Sequence, residues 1–253
     1  MATATARTTE DVTDGAMVDA RRYMFVTGSE DARTIGPSDL LRRLGVLRPD
    51  GRLTQAGVLL FCPADRTDIA MSMLDVEGGD VLLPASDLAG LSIEQLSVTE
   101  DRLDSVNTDI TVRGGFAESR IRRVPSAAVR EAVLNALVHR DWLQPDPVTV
   151  TWSQADSALQ VISPGGFVGG ITSQTLLMQR FARHPALADL FRALGLVEKQ
   201  GLGVDRMYRE MVALGRRPPM IVEGPARESG FVWSAATRSS RSWRSPRTSG
   251  SAA

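Results

Sequence analysis

Glu131 and Asn135 stand four residues apart in the run Arg130-Glu-Ala-Val-Leu-Asn135. On a helix that spacing places both side chains on one face, a turn from each other. A carboxylate in such a place can polarise a water as a general base. A carboxamide oxygen one turn away can ligate a hard cation such as Mg2+, which keeps several waters and bridges to phosphates. The pair could therefore hold a metal-bound phosphate and a water in fixed relation. The same spacing occurs by chance in many helices, where it is simply a solvated face, so its meaning depends on what accompanies it.

Two glycine clusters accompany it. Ser163-Pro-Gly-Gly-Phe-Val-Gly-Gly170 follows directly on a run of strand composition. Gly201-Leu-Gly203 stands just before a helical pattern. Glycine lets a backbone approach a phosphate or a base closely and supplies positive φ. A helix N-terminus can receive an anion. The order is informative: Glu-x-x-x-Asn helix, hairpin, glycine loop, then Gly-x-Gly-Val ahead of a helix. Arg140, Arg183 and Arg206 are cations that could meet phosphate in such an arrangement. His139 also reads as a helix-end residue meeting the last carbonyls. Arg183-His184-Pro185 also reads as a cap before the next helix.

Arg130-Glu-Ala-Val-Leu-Asn-Ala-Leu-Val-His-Arg-Asp141, Ile162-Ser-Pro-Gly-Gly166, Gly170-Ile-Thr172, Arg183-His-Pro185 and Leu194-Gly-Leu-Val-Glu-Lys-Gln-Gly-Leu-Gly-Val204 together resemble a bacterial family. It is the RecG-like C-terminal, or Schlafen-AlbA-associated, ATP-binding family, whose members are labelled transcriptional regulators or ATP-dependent helicases. The resemblance runs over residues 53–233. It implies an α+β fold, a two-layer GHKL-like ATPase sandwich with a mixed sheet covered on one face by helices, as in gyrase, MutL and histidine kinases. It implies ATP and Mg2+ as cofactors. Asn135 matches the Mg2+-binding asparagine of that fold, and Glu131 the water-activating glutamate. Gly165, Gly166 and Gly170 match the glycine box near adenine, and Gly201 and Gly203 the box beside the phosphates. His139, Arg140 and Ser163 complete the expected nucleotide-binding set. Hydrolysing relatives begin the first box with an aspartate that accepts from the adenine amino group. Here Ser163 stands there, and a hydroxyl accepts without charge-assisted strength.

The elements that must position these residues are legible in part. Proline suits a first helical turn, so a helix is expected over residues 125–139. Strand composition marks 147–152 and 158–162, with a turn at 154–157 between them. Helical segments are expected at 173–181, 185–194 and 204–214, and a last strand at 230–233. Upstream, short helices are expected around 40–44, capped by Ser38 or Asp39, and over 53–61 with Thr54 as cap. Pro49-Asp-Gly51 is a turn signal between those two. Residues 69–76 read as a strand and 91–108 as an amphipathic helix. The organisation expected is a disordered leader at 1–15, a small α+β region at 16–115, the ATP-binding domain at 116–234, and a disordered Arg/Ser-rich tail at 235–253.

Composition sets outer limits. The chain has 253 residues, 43% hydrophobic and 23% charged, which is ordinary for a globular protein with a core. A net charge of -1 makes no global case for nucleic acid. DNA contact would need a local patch, such as Arg42-Arg43 or the tail bearing Arg238, Arg241, Arg244 and Arg247. Cys62 is the single cysteine and sits in an apolar run, which suits a small buried hydrophobe. No apolar run approaches the ~20 residues needed to span a bilayer, and no signal-peptide core opens the chain, so a cytoplasmic protein with no membrane partner is expected. A Gly-x-x-x-x-Gly-Lys-Ser/Thr phosphate loop is absent from the sequence, so helicase activity is not expected. The chain is also expected to lack a complete N-terminal AlbA-type DNA-binding domain. The expectation is an ATP-binding module of a transcriptional regulator, in which nucleotide controls conformation or homodimerisation, with weak Mg2+-dependent ATPase activity at most. The alternative is a non-enzymatic DNA- or protein-binding regulator whose nucleotide site has degenerated.

Overall fold

Ala4-Thr-Ala-Arg-Thr8 carries β-branched threonines, and it forms strand β1 (Ala4–Thr8) rather than the start of a leader. The strand pairs antiparallel with β2 (Arg52–Thr54), and Thr5 Oγ1 donates to Leu53 O at 2.9 Å. Thr13 then caps helix α1 (Asp14–Val26), its hydroxyl accepting from Ala16 N. Ala16, Ala20, Tyr23 and Met24 are buried, the i, i+4, i+7, i+8 stripe of a helix packed on a core. The disordered leader expected at 1–15 is thus corrected from Ala4 onward. The computed structural model describes residues 4–76, 78–89, 92–114, 116–167, 170, 175, 182–197, 203–214 and 217–221. The helix expected at 173–181, the strand at 230–233, the tail at 235–253 and Gly201 lie outside them.

Helix α2 (Pro37–Arg43) starts earlier than expected, with Gly36 as its N-cap and Pro37 in the first turn. Thr54 does cap the following helix α3 (Gln55–Phe61), accepting from Gly57 N at 3.2 Å, while Leu53 before it belongs to β2. Cys62 ends α3 fully buried, and burial pushes its thiol up to about 11. It is the inert hydrophobe expected from its surroundings.

The central sheet joins both halves of the chain. Its strands are β3 (Thr67–Leu74), β4 (Val81–Ala89), β7 (Val148–Ser153) and β8 (Ala158–Ile162), in the order β4-β3-β7-β8. The central β3–β7 pair is parallel, from Ile69 opposite Val148 to Leu74 opposite Ser153, and both outer pairings are antiparallel. Val148, Val150 and Trp152 alternate into the core along β7. A separate hairpin, β5 (Asp109–Gly114) and β6 (Ala117–Arg122), stands apart from this sheet. The whole is the mixed, two-layer α+β ATPase-like architecture expected. The division expected at residue 116 does not separate two folds, because β3 and β4 complete the sheet that β7 and β8 begin, and one core cluster runs from Ala16 to Ile221.

Two buried amides set the frame for the site. Gln95, on helix α4 (Ser92–Val106), accepts through Oε1 from Asp68 N and Ile69 N and so holds the start of β3. Asn107, just past α4, bonds Val124 in both directions, Nδ2 to O at 2.8 Å and N to Oδ1 at 2.9 Å. That double bond copies a strand pair and fixes where helix α5 (Ser126–His139) begins. Pro125 precedes α5 as its N-cap rather than forming its first residue. Helix α6 (Pro185–Ala193) buries Leu187, Ala188, Leu190 and Phe191, and helix α7 (Gly203–Ala213) buries Met207 and Met211 and packs on α5. No helix among the described residues is long and apolar enough to cross a membrane.

Candidate functional site

α5 is apolar nearly all round, with Ala128, Val129, Ala132, Val133, Leu134, Ala136, Leu137 and Val138 buried. Polar Glu131 and Asn135 interrupt that surface on one side, both half-buried. Asn135 Nδ2 donates to Glu131 Oε1 at 2.7 Å. The bond fixes the carboxamide flip, so Asn135 Oδ1 is the atom turned away from the carboxylate. The expected pair is therefore assembled: a carboxylate and a carboxamide oxygen, side by side on a rigid helix.

The first glycine loop is drawn onto the C-terminal end of that helix. The last carbonyls of a helix have no partner within it. Ser163 Oγ donates to Ala136 O at 2.7 Å, Arg183 Nε to His139 O at 3.0 Å, and the His184 ring bonds Arg140 O at 3.2 Å. Asp141 N donates to Pro164 O at 2.8 Å, and Arg183 Nη2 to Gly166 O at 2.6 Å. Gly165 takes φ +95°, and a Cβ there would stand 2.7 Å from Asp141 Cβ. Only glycine lets the loop lie this close. Gly170 also takes positive φ, at 75°. Gly203 opens α7.

Three expected contacts are corrected. Ser163 is wholly buried, and its hydroxyl is directed at the Ala136 carbonyl, so it pins β8 to α5 instead of meeting a base. Arg140 is 1% exposed and is spent on the core side. Its Nη1 meets Asp68 Oδ1 at 2.6 Å, its Nη2 donates to Asp146 O at 2.7 Å, and its guanidinium stacks on Trp142. Arg66 adds a second cation on the same Asp68 oxygen at 2.9 Å. Burial pulls the Arg140 pKa down and Asp68 opposes that pull. A phosphate has no access to this guanidinium. His139 is pushed down to about 4, first by burial, then by the charges of Arg183 and His184. It is a neutral imidazole at pH 7 and brings no positive charge to an anion.

Asp68, Asp141 and the backbone-binding role of Arg183 were not legible in advance. Asp68 is 72 positions from Arg140. The reading of Arg183-His184-Pro185 as a cap before the next helix holds, since His184 is the N-cap of α6 with Pro185 in its first turn, and Arg183 in addition bonds the last carbonyl of α5.

A cleft of about 330 Å³ lies elsewhere, between α1, α4 and the first half of α5, with Tyr23, Leu96, Leu103, Arg130 and Val133 among its walls. Glu131 and Asn135 are not among the residues that line it. The cleft is a different place from the polar pair.

Residues 150–228 match a family model described as "Putative ATP-dependent DNA helicase recG C-terminal". That stretch of the chain is similar to the RecG C-terminal, ATPase-like family. The matched stretch holds β7 from Val150 on, β8, the glycine loop, Arg183, α6 and α7, while α5 lies ahead of it. The chain is also similar to a crystal structure of the DIP2311 protein from Corynebacterium diphtheriae, with a TM-score of 0.85 and 45% identity. That similarity covers 94% of this chain and 47% of the other, so this chain spans about half the length of that protein. No curated protein matches.

Proposed function

We propose that this chain is a Mg2+-dependent ATP-binding module of a regulatory protein, in which nucleotide occupancy controls conformation or dimerisation and hydrolysis is weak. The observation that carries the reading is the Glu131–Asn135 pair, bonded at 2.7 Å on a helix whose end is fastened to a glycine loop. Asn135 Oδ1 would hold Mg2+, which would supply neutralisation of the phosphate charge. Its donor set fits, because Asn135 Oδ1 is a hard neutral oxygen and Mg2+ takes its remaining ligands from phosphates and water. Glu131 would hold the water beside it. The RecG-like match supports a nucleotide-binding region in general terms. Mg2+, ATP and the residue roles are the finer part of the proposal.

One observation favours a second reading. Ser163 is wholly buried with its hydroxyl on Ala136 O, so it is not offered to an adenine amino group. A regulator that kept the fold and binds DNA or protein without nucleotide would look the same at that position. Equilibrium titration with labelled ATP, with and without Mg2+, separates the two. The proposal expects saturable binding that weakens without Mg2+ and loses its Mg2+ dependence in Asn135→Ala. Absence of binding by the unsubstituted chain, together with a salt-sensitive shift of DNA mobility, would instead establish the second reading.

A further inference from the structure

None of the roles above falls to Arg183, yet its guanidinium reaches three parts of the site at once. Nε donates to His139 O at 3.0 Å, Nη2 donates to Gly166 O at 2.6 Å, and Nη1 stands 3.7 Å from Asp141 Oδ2. The side chain is only 18% exposed. His139 O is the last helical carbonyl of α5, where a cation is also favoured by the helix dipole. Gly166 O belongs to the glycine loop. Arg183 therefore spans the gap between the helix that carries Asn135 and the loop that faces it.

We infer that Arg183 is a positioning residue of the nucleotide site, a clamp that sets the separation of the glycine loop from α5 without touching the nucleotide. The inference rests on the reading of the site given above. A planar fork of donors meets two carbonyls and a carboxylate in fixed directions, and an ammonium cannot do so from one point. The neighbouring residue shows how tightly the clamp is drawn. A Cβ on Gly165 would lie 3.0 Å from Arg183 Nη2 as well as 2.7 Å from Asp141 Cβ, at a φ that side chains rarely adopt. The loop has room for the guanidinium only because position 165 is glycine. Arg183 is mostly buried with two donors on backbone carbonyls, so the influence assigned to it passes through Gly166 and the end of α5.

The test is Mg-ATP binding by the full chain, comparing the unsubstituted protein with Arg183→Ala, Arg183→Lys, Gly165→Ala and Asn135→Ala, each checked for folding by circular dichroism. Displacement of a positioned loop is expected to weaken binding about 10-fold or more in Arg183→Ala, and nearly as much in Arg183→Lys. Both keep their dependence on Mg2+, because Asn135 is intact. Asn135→Ala loses that dependence. Millimolar guanidinium restores affinity to Arg183→Ala and does nothing for Asn135→Ala, a rescue that a generally loosened fold would not show. Gly165→Ala reproduces the loss with Arg183 in place, and it carries the test if Arg183→Ala does not fold. Unchanged affinity in Arg183→Lys and Gly165→Ala, with Asn135→Ala impaired, overturns the clamp and leaves the site reading standing. If the unsubstituted chain binds no nucleotide, the site reading falls and the clamp with it.

Discussion

Two polar clusters sit close together along α5 and its exit. Glu131 and Asn135 share a hydrogen bond and stay half-buried. Arg140 and Asp68 meet at 2.6 Å with almost no exposure, and further hydrogen bonds and an aromatic ring complete the cluster. Both clusters were candidates for nucleotide contact by residue type. Burial separates them. A charge sealed into the core has its partner built in and leaves nothing for a ligand. A polar pair left half-buried on a largely apolar helix stays within reach of solvent, which is what the proposed nucleotide contact requires.

Breaking the buried cluster should have the largest effect on stability. Asp68→Ala strands the Arg140 cation in the core and should cost about 3–5 kcal/mol, read as a lowered urea midpoint. A loss no larger than that of a surface substitution would show that Arg140 is more open than its burial implies. Next comes Ser163→Ala, which removes the donor to Ala136 O and leaves a buried carbonyl without it. A loss of about 1–3 kcal/mol is expected from the same denaturation curves, with little change in nucleotide affinity. A Ser163→Ala protein that is stable but loses ATP would return this hydroxyl to the binding site.

His139 offers a smaller effect, visible through pH. Its folded pKa of about 4 lies below the ordinary 6.5. The unfolded chain therefore takes up the proton first, so stability is full above about pH 6.5 and falls as pH drops toward 4. Thermal melts of His139→Gln should be flatter across that window than those of the unsubstituted chain. Identical slopes would mean that His139 titrates as an exposed imidazole. The smallest stability effect belongs to the open cluster. Glu131→Gln should shift stability by no more than about 0.5 kcal/mol, since an i,i+4 pair at a surface is worth only a few tenths. A large destabilisation there would make the pair structural and erase the contrast with Arg140.

The sequence disclosed local features and hid those made at long range. The i,i+4 spacing of Glu131 and Asn135 told in advance that they would meet, and the alternation in β7 and β8 told of a hairpin. Nothing near Arg140 announced Asp68, because the parallel β3–β7 pairing that brings them together joins distant segments. β1 was obscured by its Thr/Ala composition, and only pairing with the three-residue β2 makes it a strand. β4 carries Pro84 and exposed Val81, Leu82 and Leu83, so it lacks the alternation of a half-buried strand, and it is an edge strand, where proline is tolerated. The β5–β6 hairpin did carry a signal in Gly114-Gly115, flanked by alternating Ile110, Val112, Ser119 and Ile121. The glycine loop was read as a phosphate or base cradle. Its tie to α5 through Arg183 depends on a residue 17 positions further along the chain.

The most direct test of the contrast is a crystal structure of the unsubstituted chain soaked with Mg2+ and a non-hydrolysable ATP analogue. The account predicts phosphate and cation density beside Asn135 Oδ1 and Glu131, facing the Gly165–Gly166 loop, with Arg140 still on Asp68. Density confined to the cleft beside Arg130 and Val133, or an Arg140 released from Asp68 onto a phosphate, would contradict it.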